Sequence, residues 1–207
     1  MKEMKLKGKK LVMFIFGIAL FSSVIAYASG NFAKTVHTPK TTELPNQEAV
    51  DTVSLRDSIK KQLIDEVNIY LKKQSPNAHP TIASSIVNHG LNYEIDICFI
   101  MGQTQIETNF GVAGVGRESS RRSLFGVIKK KYHSYDVAIE DYSKLLKKSY
   151  LVKGRTEQDL MKNYITGSGY RYASDKDYEI RLTRTYNQIK NSTKISELQQ
   201  QWKQFNS

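Results

Sequence analysis

The chain has 207 residues, with 31 Lys and Arg against 20 Asp and Glu, a formal charge of +11, and 40% hydrophobic residues. That balance excludes a wholly disordered chain, and the length suffices for one domain of useful size with appendages. The single Cys98 excludes an internal disulfide, and the surplus of cations points toward an acidic partner once its place along the chain is known.

Much of that surplus sits at the start. Met1 to Lys10 carries five Lys and one Glu, and Leu11 to Ala28 is an uncharged apolar run ending in the small-x-small triplet Ala26-Tyr27-Ala28. This pattern predicts an export signal over 1–28, either cleaved after Ala28 or retained as a membrane anchor through residues 11–28, since a span needs only ~18 apolar residues. Without residues 1–28 the charges stand at 26 against 19, or +7. The expected location is therefore outside the cytoplasm: periplasm, cell envelope or extracellular space. Residues 29–53 are polar and Thr-rich without period and read as a linker.

From Ser54 the pattern turns helical. Ser54 and Asp57 resemble a capping box, and Leu55, Ile59, Leu63, Val67 and Tyr70/Leu71 recur at helical spacing until Ser75-Pro76. Thr81 to His89 predicts a shorter helix through Ile82, Ile86 and Val87, with Gly90 as its C-cap. A third helix runs from Asp96 to about Asn109 and is apolar on most of its circumference, the mark of a central helix; Cys98 lies in it as core filling. Gly111, Gly114 and Gly116 then open a loop that ends at Leu124-Phe125-Gly126-Val127-Ile128, a short apolar run of strand length. Helical spacing resumes over Asp136–Tyr150, Thr156–Ile165 and Asp177–Ile189, and the C-terminal tail, 196–207, reads as a polar helical tail or a frayed end. The expected architecture is mostly α with at most a short β element, its domain spanning 54–195.

Glu107 is the residue with the clearest chemical promise. It is the only acid between Asp96 and Glu118 and lies near the end of the most apolar helix. Burial beside Ile106, Phe110 and Phe125 would keep such a carboxyl protonated near neutral pH, ready to act as a general acid; the plainer alternative is a surface Glu on the helix's polar edge. The four His and Cys98 show no metal-ligand spacing, so neither metal nor other cofactor is expected. Lys129-Lys130-Lys131 with Arg121 and Arg122 forms a basic strip, either a docking aid or a solvated edge. No nucleic-acid-reading motif accompanies the charge, which argues against nucleic acid as a partner.

The stretch Gln103-Thr-Gln-Ile-Glu107-Thr-Asn-Phe110-Gly111, a Gly-rich loop and Ser123-Leu124-Phe125-Gly126-Val127 resembles the glucosaminidase family of peptidoglycan hydrolases, with its A-Q-x-x-x-E-S-x-W-G and N-L-F-G-I patterns. Tyr132, Ser134 and Ile139-Glu140-Asp141-Tyr142 resemble that family's Y-x-S-x-x-x-S-I-x-D-Y/H stretch, and Tyr172-Ala-Ser-Asp175-Lys-Asp-Tyr178 its Y-A-T-D-x-x-Y stretch, in the same order over about residues 80–190. The resemblance implies a lysozyme-like helical fold with a cleft and a β-N-acetylglucosaminidase-type hydrolysis of the glycan strand of peptidoglycan. It implies Glu107 as the catalytic acid and Gln103, Phe110, Phe125, Gly126 and Tyr172 as substrate contacts. Thr108, Phe110 and Ser123 stand where the family has Ser, Trp and Asn.

The family's second acid, carried on a hairpin after L-F-G-I, has no room here, because only Val127 to Ser134 precede the next predicted helix. Glu118 is the nearest candidate, though beside Arg117, Arg121 and Arg122 it reads more simply as a solvated loop charge; Asp175 reads as a helix cap. With one acid, the substrate's 2-acetamido group could act as nucleophile, or an anhydro sugar could be released as lytic transglycosylases do; a muramidase on the same fold and a non-catalytic glycan-binding wall module are the other readings.

Overall fold

The computed structural model describes residues 47–118, 121–126 and 130–205. The predicted export signal and most of the predicted linker lie outside the described residues. The protein is mostly α-helical, with seven α-helices among the described residues, a single 3₁₀ turn at Gly114–Gly116 and a π turn at Leu146–Tyr150. Among the described residues the β structure is one isolated antiparallel bridge, Ile165 with Arg171. Leu124 and Phe125 form a turn rather than the start of a strand, and Val127 and Ile128 lie outside the described residues.

The first helix, α1, spans Gln47–Gln74, so it begins inside the predicted linker rather than at the Ser54 capping box. The segment from Gln47 to Val53 contains neither Gly nor Pro, and nothing in it interrupts a helix already under way. Ile59, Leu63, Val67, Tyr70 and Leu71 are buried, the stripe that their spacing predicts. After α1 the Ser75 hydroxyl donates to the carbonyl of Asn109 at 2.9 Å, which ties the end of α1 to the chain at Asn109.

Helix α2 (Thr81–Asn92) runs through Gly90, which is a buried interior residue and not a C-cap. The reason is packing: a Cβ on Gly90 would lie 2.7 Å from Ile97 Cγ1, so only glycine admits Ile97 there. Helix α3 (Ile97–Thr108) begins where predicted. The Asp96 carboxylate accepts from the N–H groups of Cys98 and Phe99 at 2.8 and 3.4 Å, as an N-cap does. All residues from Ile97 to Thr104 are buried, confirming α3 as the central helix. Cys98 is fully buried, and its thiol is pushed up to about 12, first by burial and then by the nearby Asp96 charge.

Helix α4 (Tyr135–Leu145) is capped by Ser134, whose hydroxyl accepts from Val137 N–H at 3.2 Å; Asp136 sits in its first turn and hydrogen-bonds His89 at 3.0 Å. The periodicity predicted one helix to Tyr150, but the last turn widens into the π turn. Helix α5 (Glu157–Lys162) carries a full capping box between Thr156 and Asp159 and stops short of the predicted Ile165. Helix α6 (Tyr178–Ser192) packs along α3, and a Cβ on Gly102 would lie 3.3 Å from Leu182 Cδ1.

The C-terminal segment is a helix, α7 (Ile195–Gln204), and it is packed on the rest of the fold rather than frayed. Ile195 and Leu198 are buried, worth about 1.5–3 kcal/mol each. Gln199 donates to Ile95 O at 2.8 Å and accepts from Ile97 N–H at 3.0 Å, serving an end of α3 that has no helical partner of its own. Its single-sequence pattern is mostly polar because only one narrow face meets α1 and α3. No described helix is long and apolar enough to cross a membrane.

Candidate active site

The site grows from the C-terminal end of α3. Asn109, Phe110 and Gly111 all adopt positive φ, at 47°, 55° and 84°, which turns the chain sharply after the helix. Thr108 is the anchor of this corner: its hydroxyl donates to Leu124 O at 2.9 Å and accepts from Gly111 N–H at 3.1 Å. The anchor brings the Leu124-Phe125-Gly126 turn alongside Glu107.

Glu107 is half-buried in a pocket of about 470 Å³ that it shares with Phe125, Gly126, Tyr150, Tyr172 and Tyr178. The Tyr178 hydroxyl donates to Glu107 Oε1 at 2.8 Å. Gly126 lies against the other oxygen, with φ of 68° and room for no side chain: an ideal Cβ would be 2.5 Å from Oε2. The Tyr172 hydroxyl donates to Phe125 O at 3.2 Å, holding the turn from the opposite wall.

Around the pocket and behind it the rings are stacked. Phe125 lies on Tyr142 at 3.6 Å and 11°, Tyr164 on Tyr172 at 4.5 Å and 9°, and Tyr150 meets both Tyr164 and Tyr172 edge-on. The π turn is what carries Tyr150 to the pocket, a role such widened turns often have. Burial raises the hydroxyls of Tyr142, Tyr164 and Tyr172 well above the usual phenol range. Tyr178 is raised by burial first, then by Tyr172 and the Glu107 charge. All four are therefore neutral phenols at physiological pH and able to donate.

Of the six residues predicted for the site, the structure brings together Glu107, Phe125, Gly126 and Tyr172 and excludes the other two from the pocket. Gln103 is fully buried and hydrogen-bonds Tyr164 and Tyr178. Phe110 is also fully buried, edge-on to Tyr70 at 6.3 Å, because the left-handed turn after α3 swings it into the core. Neither can touch a ligand in the pocket. Phe110→Ala is accordingly expected to cost about 3–5 kcal/mol of stability, read by chemical denaturation, while leaving the KM of the folded variant unchanged; a raised KM at intact stability would restore Phe110 to the site.

Sequence reasoning missed Tyr150, Tyr178, Asp175 and Arg181 as pocket residues. Tyr178 had a signal, as the closing tyrosine of the Tyr172-to-Tyr178 stretch. Asp175 accepts from Asp177 N–H at 2.9 Å, a local cap-like bond, but its other oxygen pairs with Arg181 at the rim. Glu118 pairs with Arg121 at 2.5 Å and does not line the pocket. The Tyr132–Asp141 pattern is structural: the hydroxyl donates to the carboxylate at 2.7 Å, and the adjoining Tyr142 supports Phe125. Glu179, nearly buried, accepts twice from Arg171 at 2.9 and 2.8 Å and once from Tyr164 N–H at 3.1 Å, which fixes the segment bearing Tyr164 and Tyr172.

Among the described residues no group of three His, Cys, Asp or Glu side chains is placed to hold a metal. The arrangement offers one carboxyl with an exposed edge, neutral phenols, and an ion pair at the rim, which suits proton transfer to a polar, hydroxyl-rich ligand. No family model, no curated protein and no solved structure matches this chain.

Proposed function

We propose that the protein is an exported hydrolase of the peptidoglycan glycan strand, acting at the N-acetylglucosaminyl bond on a lysozyme-like arrangement of helices, with Glu107 as general acid. The observation that carries the reading is the position of Glu107 at the edge of an aromatic-walled pocket, one oxygen held by Tyr178 and the other beside Gly126. In glycoside cleavage an acid protonates the leaving oxygen while positive charge develops on the departing sugar ring. Glu107 is placed to supply that proton, and the neutral phenols of Tyr172 and Tyr178 present the flat, amphipathic faces that sugars pack on. The apolar run through residues 11–28 would deliver the chain to the envelope, cleaved or as an anchor.

The pocket's other carboxylate favours a single-acid route. Asp175 is committed to Arg181 and to Asp177 N–H, whereas Glu107, among the described residues, has no ion pair. A paired mechanism places two carboxyls ~5–5.5 Å apart for retention or ~6.5–9.5 Å for inversion, both available to the reacting centre. With one available, the substrate's 2-acetamido group takes the nucleophile's part. Digestion of purified sacculi followed by mass spectrometry tests the reading: muropeptides ending in reducing N-acetylglucosamine are expected. Reducing N-acetylmuramic acid or an anhydro end would move the activity to a muramidase or a lytic transglycosylase. Retention on sacculi with no product would leave a binding module.

A further inference from the structure

We propose that Gln103 sets the direction of a buried hydrogen-bond chain ending on Glu107 and so decides which carboxyl oxygen carries the acid proton; the proposal rests on Glu107 being the acid of the reaction. The chain runs Tyr142, Tyr164, Gln103, Tyr178, Glu107, with successive separations of 2.8, 2.9, 3.1 and 2.8 Å. Gln103, Tyr164 and Tyr142 are buried. Three of the five members are hydroxyls, which can turn either way. Gln103 cannot, because its amide has a donor at one end and an acceptor at the other.

The inner end of the chain settles the amide's orientation. Among the described residues the Tyr142 hydroxyl has one hydrogen-bond partner, Tyr164. If Gln103 presented its –NH₂ to Tyr164, Tyr164 would have to donate to Tyr142, and the Tyr142 proton would be buried with no acceptor, the costly half of an unmade hydrogen bond. With the carbonyl toward Tyr164 every hydroxyl proton of the chain is used: Tyr142 donates to Tyr164, Tyr164 to Gln103 Oε1, one N–H of Gln103 Nε2 to Tyr178, and Tyr178 to Glu107 Oε1. Glu107 Oε1 is thereby an obligate acceptor. The transferable proton belongs on Oε2, the oxygen beside Gly126. Gln103 is thus a positioning residue that acts on Glu107 through Tyr178.

The test compares wild type, Glu107→Gln, Tyr178→Phe, Gln103→Glu and the double variant Gln103→Glu/Tyr178→Phe, with kcat and KM measured on solubilised glycan strands and folding checked by thermal melting. Gln103→Glu keeps the shape but replaces the amide donor with an acceptor, which draws the Tyr178 proton away from Glu107. Tyr178→Phe removes that proton outright. Each is expected to lower kcat about 10–100-fold with KM unchanged, the scale of a hydrogen bond to a charged group. The double variant is expected to be no slower than Tyr178→Phe alone, because members of one chain are not additive. Should Gln103→Glu fail to fold, Tyr178→Phe decides. A folded Tyr178→Phe with wild-type kcat, or losses that multiply in the double variant, would overturn the proposal. Wild-type activity in Glu107→Gln would instead remove the functional reading beneath it.

Discussion

Glu107→Gln is expected to reduce the release of soluble muropeptides from sacculi by about 10²–10⁴-fold, the usual contribution of a positioned general acid. The substitution is nearly isosteric. Its carbonyl oxygen can still accept the Tyr178 hydroxyl that Oε1 accepts at 2.8 Å, and its amide nitrogen can occupy the place of Oε2 beside Gly126. What is lost is an ionisable proton at the pocket edge. Because Glu107 is only half-buried and, among the described residues, carries no ion pair, stability should change by about 0.5 kcal/mol or less. Product release and a melting curve on the same preparations separate the two effects. Equal release by the variant and the wild type would end the assignment of Glu107.

The second large effect is expected at Gly126, where alanine should cut activity about 100-fold while costing only about 1–2 kcal/mol of stability. Two penalties meet at this position. The backbone φ of 68° disfavours any L side chain, and the added Cβ would stand 2.5 Å from Glu107 Oε2 and 3.4 Å from Cδ. The carboxyl is the end of a movable side chain, so it yields; in yielding it breaks from Tyr178 and leaves the position from which it would deliver a proton. Gly154 supplies the control, since its φ is 78° and an added Cβ would meet nothing within 4 Å. Gly154→Ala should lose similar stability and keep full activity. Equal activity of the two alanine variants would show that Gly126 serves the backbone alone.

These two residues also mark how far the sequence could be read. Glu107 was recognisable as a lone acid on an apolar helix. That it meets Gly126 across a gap of nineteen positions followed only from the ordered motifs, and the contact itself depends on Thr108 drawing the Leu124 carbonyl to α3. Phe110 and Gln103 carried the same local signal as Phe125, an apolar or polar residue inside a motif. Their fates differ because the left-handed turn after α3 points Phe110 into the core and the helical repeat points Gln103 under the pocket floor.

Helix positions were legible wherever a wide apolar stripe or a capping residue was present, as at Ile59 to Leu71, Asp96 and Thr156. Apolar periodicity and caps are properties of neighbouring residues, so the linear order of amino acids suffices to specify them. Three features were set by the packing of one element on another. The close approach of α3 made Gly90 an interior residue, hydrogen bonds to Ile95 O and from Ile97 N–H made Gln199 part of a packed helix, and the π turn brought Tyr150 edge-on to Tyr164 and Tyr172. The same holds for the chain of hydroxyls and amide behind Glu107, whose members span Gln103 to Tyr178 and acquire a direction only when Tyr142 is sealed from water. Local pattern could single out Glu107, but a proton's position depends on which buried groups surround it, and that is established when the helices pack.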